Sequence, residues 1–269
     1  MRAGRPRIVT AFREPPMGQP KEGSLLKIAN WNLERIAPSE HRAVAIHRHM
    51  DSVGADIWVL TETHENVGPG GLLHHHFSGE PDRPSALGER WVGLWSRYEM
   101  EPLPVSDPAR CAAAHVPNSP LGELLLYGCV LPWSTEWRGI PGAGGQAFEA
   151  ALKLQHADWN RMKAQFPNAT LIVAGDFNQD LAVKHYYGSK RKRTLLEEAL
   201  RDEKLVPLTA GPNDPIARDS APYACIDHIC VSESAAWTLE STARWPDAPA
   251  PMRRSLSDHF GVSVEVSSL

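Results

Sequence analysis

Five short fragments of the 269-residue chain combine acid, amide or imidazole side chains with neighbouring apolar runs. They are Trp31-Asn32, Thr61-Glu62-Thr63, Gly175-Asp176-Phe177-Asn178, Ile226-Asp227-His228 and Ser257-Asp258-His259. Carboxylates beside buried strands are costly unless they are paired or bound to a cation. Oxygen ligands with few sulfur or imidazole alternatives suit Mg²⁺ or Mn²⁺ better than zinc. The residue types therefore predict one metal-dependent site that acts on a phosphate group.

The apolar runs beside these fragments are typical of buried strands, and they limit how the sheet can run. Asn32, Glu62 and Asp176 fall at the carboxyl ends of predicted strands. Asp227, Asp258 and His259 lie just before a predicted strand or at its first residue. The two groups can share one edge only if strands run in both directions, which favours mixed or antiparallel sheets over an all-parallel sheet.

The remaining pattern predicts a flexible tail over residues 1–23 and a single domain over residues 24–269. A first strand is predicted over 25–32, followed by a helix with Ser39 as its N-cap and Gly54 as its end. Residues 64–90 read as a long loop that contains a His74-His75-His76 triplet, interpreted as solvated rather than metal-binding. A long amphipathic helix is predicted from the spacing of Phe148, Leu152, Trp159, Met162 and Phe166. Thr194 and Glu197 match a capping box, which predicts a helix over 195–205.

The order and spacing of the chemical fragments resemble the endonuclease/exonuclease/phosphatase (deoxyribonuclease I-like) superfamily. The motifs that carry the resemblance are Leu60-Thr61-Glu62-Thr63, Gly-Asp-Phe-Asn at 175–178 and Ser-Asp-His at 257–259, together with a third-strand match at 92–97. The matching stretches run from residue 26 to residue 266. The resemblance implies an α/β (α+β) fold, a four-layer αββα sandwich of two mixed, largely antiparallel sheets flanked by helices.

The resemblance also implies a role for each site residue. Glu62 is expected to be the principal carboxylate ligand of Mg²⁺ (or Mn²⁺), helped by Asn32 and Asp258. The ion would neutralise a phosphate oxygen and the charge that develops during in-line displacement.

The family's catalytic groups match four further residues. Asp176 and Asn178, which share a face if the segment is extended, are expected to orient and deprotonate the attacking water. Asp227 and His259 match a dyad in which the carboxylate fixes the imidazole tautomer, so that His259 stabilises or protonates an oxygen as the bond breaks.

One position departs from the family pattern. Many members carry a Tyr or His at the end of the strand before Gly-Asp-Phe-Asn, and here that position is Val130. An auxiliary proton donor must be absent or come from elsewhere, with His64, Arg138 and the 64–90 loop as alternatives.

Residues 184–193 form a basic segment with two tyrosines shortly after the catalytic motif. Lys190, Arg191, Lys192 and Arg193 stand before the predicted helix, where the macrodipole disfavours cations. The segment is interpreted either as substrate-binding, with stackable rings beside a nucleic-acid strand, or as a solvated loop.

The composition excludes some classes of protein. A net charge of −4 argues against non-specific coating of nucleic acid, although a local basic patch could still engage it. The four cysteines form no C-x-x-C pair, which favours packing roles in a reducing compartment over a zinc site. No targeting segment or bilayer-length apolar run is evident, so a cytoplasmic protein without membrane partners is expected; the oligomeric state is left open.

The leading hypothesis is a nuclease that cleaves phosphodiesters of DNA or RNA. The alternative is a phosphatase or phosphodiesterase acting on a small phosphorylated metabolite or lipid headgroup, because substrate choice resides in loops that the motifs do not determine. A catalytically silent binding domain is a third reading, disfavoured because the site residues are all present.

Overall fold

Twelve strands in the described part of the chain form two six-stranded sheets. The computed structural model describes residues 23–133, 146–182, 184–220, 222–245 and 256–268. Almost all of the tail predicted over residues 1–23 lies outside these ranges. Arg138, a predicted alternative proton donor, also lies outside them. Among the described residues, no helix is long and apolar enough to cross a bilayer.

The strands and helices have the following bounds. The strands are β1 (Leu25–Asn32), β2 (Ile57–His64), β3 (His74–Phe77), β4 (Glu89–Ser96), β5 (Glu101–Leu103), β6 (Cys111–Ser119), β7 (Gly122–Val130), β8 (Thr170–Asp176), β9 (Leu205–Pro207), β10 (Asp227–Ser232), β11 (Trp237–Trp245) and β12 (Gly261–Ser268). The helices are α1 (His41–Val53), α2 (Gln146–Gln165), α3 (Lys190–Asp202) and α4 (Pro215–Ser220).

Both sheets are mixed, as the sequence predicts. The strand orders are β11-β12-β1-β2-β4-β3 and β5-β6-β7-β8-β10-β9. The pairs β1–β2 and β7–β8 are parallel, and the other pairings are antiparallel. This mixture lets the carboxyl ends of β1, β2 and β8 meet the amino ends of β10 and β12.

The two sheets pack face to face and helices cover their outer faces, which confirms the four-layer sandwich. Side chains of both sheets, including Ile28, Val59 and Ile172, form the apolar layer between them. α1 covers the first sheet, and α2 and α3 cover the second. Alternation along β1 sends Ile28 to the second sheet and Trp31 to α1, so Asn30 and Asn32 share the inter-sheet face.

Several predicted boundaries are corrected. α1 begins after Glu40 rather than after Ser39, and the Glu40 carboxylate accepts the Ala37 N–H at 2.8 Å. Gly54 ends this helix in the left-handed conformation (φ 61°), as expected. The predicted loop 64–90 contains β3, so His74-His75-His76 lies on an edge strand paired with β4. The structure also adds elements that the sequence pattern did not predict: β5, β6, β9, β11 and α4.

The start of α3 differs from the predicted capping box at Thr194. The helix begins at Lys190, and the Ser189 hydroxyl caps it by accepting the backbone N–H of Lys192 at 3.3 Å. The four basic residues are therefore the first turn of a helix rather than a loop before one.

We expect Ser189→Ala to lower the free energy of unfolding by about 1 kcal/mol, because the first turn loses its capping acceptor. The matched control, Thr194→Ala on the exposed surface of the same helix, should change it by less than about 0.5 kcal/mol. Urea denaturation of both variants measures the difference. A larger loss in the Thr194 variant would restore the capping box as the helix start.

Candidate active site

The predicted site residues converge at one edge of the two sheets. Asp176 ends β8 and lies opposite Asp227 at the start of β10, as register partners in an antiparallel pair. One ligand atom each from Asp176, Asp227 and His259 lies within 4.8 Å of the others. Asn32 reaches the group from the first sheet, because its amide donates to Asp176 Oδ2 at 3.3 Å. The site therefore straddles the gap between the sheets.

Asn178 folds back on Asp176 instead of continuing an extended strand. Its backbone N–H donates to Asp176 Oδ1 at 2.9 Å and its side-chain amide donates to Oδ2 at 3.0 Å. The same amide donates to the Leu131 carbonyl at 2.9 Å, and Asn178 has φ 51°. The predicted proximity of the two residues holds, but a turn creates it, so the extended geometry was wrong.

Close packing before this turn leaves no room for a side chain at Gly175. A Cβ at residue 175 would lie 1.9 Å from the Cys129 carbonyl oxygen, and the residue has φ 146°. The Gly175 carbonyl accepts the Asn30 side-chain amide at 2.9 Å, and the same amide donates to the His228 carbonyl at 3.3 Å. Asn30 thus ties the two sheets together directly behind the site.

Asp227 and His259 form the predicted dyad. His259 Nδ1 lies 2.8 Å from Asp227 Oδ2. The loop before β12 fixes the imidazole, because Ser257 donates to the Asn32 carbonyl at 2.6 Å and accepts the His259 N–H at 3.1 Å. Burial alone would lower the pKa of His259, but the Asp227 carboxylate, reinforced by Asp176 and Asp258, raises it well above its usual value. The carboxylates therefore favour the protonated imidazole, whose Nε2 points away from Asp227.

Glu62 is turned toward the site by an unusual backbone conformation. It has φ 45°, in the left-handed region that a non-glycine residue adopts at a cost of about 1–3 kcal/mol. Its carboxylate accepts the Asn32 amide at 3.1 Å. Glu34, Arg35 and Asn178 also have positive φ, so four of the five such non-glycine residues in the described chain surround this site. The concentration of strain is characteristic of a functional site.

The donor set fits a divalent cation. Burial raises the pKa of Glu62, against the opposing effect of the Asn32 amide. Burial and the charge of Asp227 raise the pKa of Asp176 to about 8. Asp227 Oδ1 is buried and has no hydrogen-bond partner among the described residues. Buried carboxylates that resist ionisation, with one oxygen unsatisfied, are the chemistry that a bound cation relieves.

Asp258 differs from the other proposed ligands because its side chain is 46% exposed. Its Oδ1 lies 4.0 Å from His259 Nε2, on the open side of the imidazole. A cation or a substrate phosphate could reach both groups from solvent. The role of Asp258 as a metal ligand remains a prediction.

Val130 pairs with Asp176 across β7–β8 and is buried in the inter-sheet core, so it offers no proton. His64 is not a ready substitute, because its two ring nitrogens contact the Leu87 carbonyl (2.9 Å) and the Asn66 N–H (3.1 Å). Burial and the charges of Asp176, Tyr186 and Asp258 raise the pKa of Tyr187, so its phenol is a weaker acid than a free tyrosine.

Side chains of the basic segment contact other residues of the folded protein. Arg191 pairs with Glu149 at 2.9 Å, and Arg193 pairs with Glu197 at 3.0 Å. The Lys192 side chain is buried, with 6% of the residue exposed, and its Nζ lies 5.3 Å from the centre of the Phe148 ring. Substrate contact by Lys190, Arg191, Lys192 and Arg193 stays a prediction, and the burial of Lys192 counts against it.

Asp180 is a buried anchor that sequence reasoning missed. Its carboxylate accepts the backbone N–H groups of Ala182 (3.1 Å), Tyr186 (2.8 Å) and Tyr187 (2.6 Å). Arg193 contacts the same carboxylate at 3.3 Å, and His185 contacts it at 3.0 Å. Asp180 therefore holds the loop that carries Tyr186 and Tyr187. An Asp two residues beyond Asn178, followed by a basic helix start, is the only sequence signal for this arrangement.

The four cysteines are buried and form no disulfide among the described residues, which agrees with packing roles. Burial raises the pKa of Cys225 well above its usual value, so the group is a thiol, and it donates to the Asp227 carbonyl at 2.9 Å. This contact supports the backbone of the dyad carboxylate.

Comparison with known proteins places this geometry among related folds. A family model described as the Endonuclease/Exonuclease/phosphatase family matches residues 29–259. No match was found among curated proteins.

Three solved structures illustrate the fold similarity. An AP endonuclease from Leishmania major is 14% identical, with 91% of this chain and 88% of that chain covered and a TM-score of 0.68. A mannosyl-6-phosphatase from Bacteroides thetaiotaomicron VPI-5482 is 17% identical, with 90% and 99% covered and a TM-score of 0.59. TDP2 from D. rerio, in a complex with a single-strand DNA product, is 15% identical, with 91% and 100% covered and a TM-score of 0.57.

Proposed function

Because the chain belongs to the endonuclease/exonuclease/phosphatase family, we propose that it is a divalent-metal-dependent phosphodiesterase that cleaves nucleic-acid strands by in-line attack of water. The observation that carries this proposal is the Asp227–His259 dyad, joined at 2.8 Å, with one ligand atom each of Asp176, Asp227 and His259 within 4.8 Å of the others. In-line displacement is assisted by a base for the attacking water and an acid for the leaving oxygen, and these side chains can supply both.

We assign the nucleophile side to Asp176 and Asn178. Two Asn178 donors hold both oxygens of Asp176, so the carboxylate has one orientation. The raised pKa of Asp176, about 8, suits a base that works near neutral pH. The Asn178 side-chain oxygen can accept a hydrogen bond from the attacking water, because the amide nitrogen already donates to Leu131 and Asp176.

The leaving-group side is assigned to Asp227 and His259. The protonated imidazole presents Nε2 to the phosphate, where it can neutralise a developing negative charge or donate its proton to the departing oxygen. Asp227 keeps the imidazole charged and oriented, because the carboxylate binds the other ring nitrogen.

We assign metal binding to Glu62, Asn32 and Asp258. Bound Mg²⁺ or Mn²⁺ would supply Lewis-acid stabilisation of the phosphate charge. Asn32 connects the two halves of the site, because its amide donates to Glu62 at 3.1 Å and to Asp176 at 3.3 Å. A change in the position of Glu62 would therefore move Asn32 and, through it, the carboxylate of Asp176, the proposed catalytic base.

Nucleic acid is the preferred substrate because two of the structural neighbours, the AP endonuclease and the TDP2 complex with DNA, have names that refer to it. A small phosphorylated substrate is the second candidate, supported by the fold similarity to the mannosyl-6-phosphatase and by the net charge of −4.

A substrate screen tests the proposal. The purified protein would be assayed with Mg²⁺ and with Mn²⁺ on supercoiled plasmid, single-stranded DNA, RNA, bis-(p-nitrophenyl) phosphate and a panel of phosphomonoesters. We expect metal-dependent cleavage of a polynucleotide and of the minimal diester. Hydrolysis confined to phosphomonoesters would replace the nuclease with the phosphatase.

A further inference from the structure

Two arginines converge on one buried carboxylate beside the proposed metal site. The Arg35 Nε–H donates to Glu89 Oε1 at 2.9 Å, and the Arg83 Nη2–H donates to the same oxygen at 2.5 Å. The Ala86 N–H donates to the other oxygen at 3.1 Å. Burial opposes ionisation of Glu89, but these donors lower its pKa below the usual value. Glu89 is therefore charged, and the cluster of Arg35, Arg83 and Glu89 (+1 +1 −1) keeps one positive charge.

This cluster adjoins Glu62 through the backbone. The Arg35 N–H donates to the Glu62 carbonyl at 2.9 Å. Glu89 pairs with His64 in the β2–β4 register, two residues beyond Glu62. The Arg83 guanidinium is also close enough to favour the charged form of the Glu62 carboxyl, against the dominant effect of burial, which raises its pKa. The Arg35–Glu62 backbone hydrogen bond and the β2–β4 register thus place the cationic cluster next to the proposed metal carboxylate.

Arg83 is held rigidly in this position. Its guanidinium carbon lies 4.3 Å from the centre of the Trp91 ring, and the Arg110 guanidinium lies 4.4 Å from the same ring. The Trp91 indole donates to Asp82 at 2.8 Å, which fixes the residue directly before Arg83. A guanidinium with a fixed orientation loses little conformational entropy when it binds an oxyanion.

Arg35 supplies the accessible part of the cluster. Its side chain is 51% exposed, compared with 17% for Arg83. Within the described residues, the Arg35 guanidinium contacts the Glu89 carboxylate through Nε alone, so its terminal NH₂ groups face no other protein acceptor. The planar donors of a guanidinium match the oxygens of a phosphate.

We propose that Arg35 and Arg83, held on Glu89, bind a second phosphate group of the substrate, next to the one that is cleaved. This inference rests on the proposed phosphodiesterase function and narrows its substrate to nucleic-acid strands with at least two consecutive phosphates. It also moves the cationic substrate contact from the start of α3, where Lys192 is buried and Arg193 contacts Asp180, to the cluster beside Glu62.

The test compares substrates that differ by one phosphate. Thymidylyl-thymidine contains one phosphodiester, and the corresponding trinucleotide contains two. We expect Arg83→Gln and Arg35→Gln each to lower kcat/KM for the trinucleotide by about tenfold, as the loss of a charge-assisted contact predicts. Turnover of the dinucleotide, which has no second phosphate, should change by less than about twofold on the same reasoning.

Arg97→Gln is the matched control. Arg97 pairs with Asp56 at 2.7 Å, is 54% exposed and follows the end of β4 that pairs with Ile57, at the far end of β2 from Glu62. The control should leave both substrates unaffected. Thermal melting checks folding, and the half-exposed Arg35 provides the informative variant if Arg83→Gln is unstable.

Equal losses on both substrates, or no loss on either in a folded Arg35→Gln protein, would overturn the second-phosphate site. A wild-type preference for a small bisphosphate over the trinucleotide would also overturn the strand assignment. Wild-type protein that cleaves neither nucleotide nor bis-(p-nitrophenyl) phosphate would instead overturn the proposed function itself, and the second-phosphate site with it.

Discussion

Glu62→Gln is expected to lower Mg²⁺-supported kcat/KM by about 10³-fold, because a metal-ion contribution of several kcal/mol to transition-state stabilisation is lost. The substitution preserves the side-chain volume and removes the charge that holds the cation. The Glu62 side chain is half-buried and burial raises the pKa of its carboxyl, so a neutral amide should leave the metal-free protein equally or more stable. The change in melting temperature on addition of Mg²⁺ should disappear in this variant.

The matched control for Glu62 is Glu99→Gln, an exposed residue between β4 and β5 at the far end of the sheet. It should retain wild-type turnover and the wild-type thermal response to Mg²⁺. Near wild-type turnover of Glu62→Gln at limiting Mg²⁺ would show that the metal assignment is wrong.

His259→Ala and Asp227→Asn are each expected to reduce kcat by about 10³- to 10⁴-fold, with a double variant little worse than either single variant. The reason is that the 2.8 Å contact makes the two residues one functional unit. Without Asp227, the imidazole loses the charge that raises its pKa. Without His259, the carboxylate has no group to orient.

The double-mutant cycle is measured as kcat on bis-(p-nitrophenyl) phosphate, with His41→Ala, on the exposed surface of α1, as the control. Losses that multiply in the double variant would mean that Asp227 and His259 act independently. In that case His259 would serve as a separate phosphate contact rather than as part of a dyad.

The regular, well-buried elements could be predicted from the sequence. β1 has the predicted bounds, and Gly54 ends α1 as expected, because an apolar run and a left-handed glycine act locally. β6 was missed since Ala112, Ala113 and Ala114 favour a helix in isolation, whereas here they fill the tightly packed sheet. The edge strand β11 was missed because much of it is exposed and carries no continuous apolar run.

The sequence predicts which residues make up the candidate site, but not how those residues are arranged in space. The identities of Glu62, Asp176, Asp227 and His259 follow from motif chemistry. The left-handed conformation of Glu62 and the turn at Asn178 depend on neighbours distant in sequence, and local pattern carries no information about them. The same limit applies to the basic segment, because Arg191 and Arg193 meet Glu149, Asp180 and Glu197 only after folding.

The most direct test of the central proposal is the rate of cleavage of a fluorescent single-stranded oligonucleotide as a function of free Mg²⁺. We predict a saturable rise from a negligible rate in EDTA, and no such rise for Glu62→Gln. Turnover that is unchanged by EDTA would contradict a metal-dependent phosphodiesterase at this site. So would a complete absence of cleavage of both the oligonucleotide and bis-(p-nitrophenyl) phosphate at saturating Mg²⁺ or Mn²⁺.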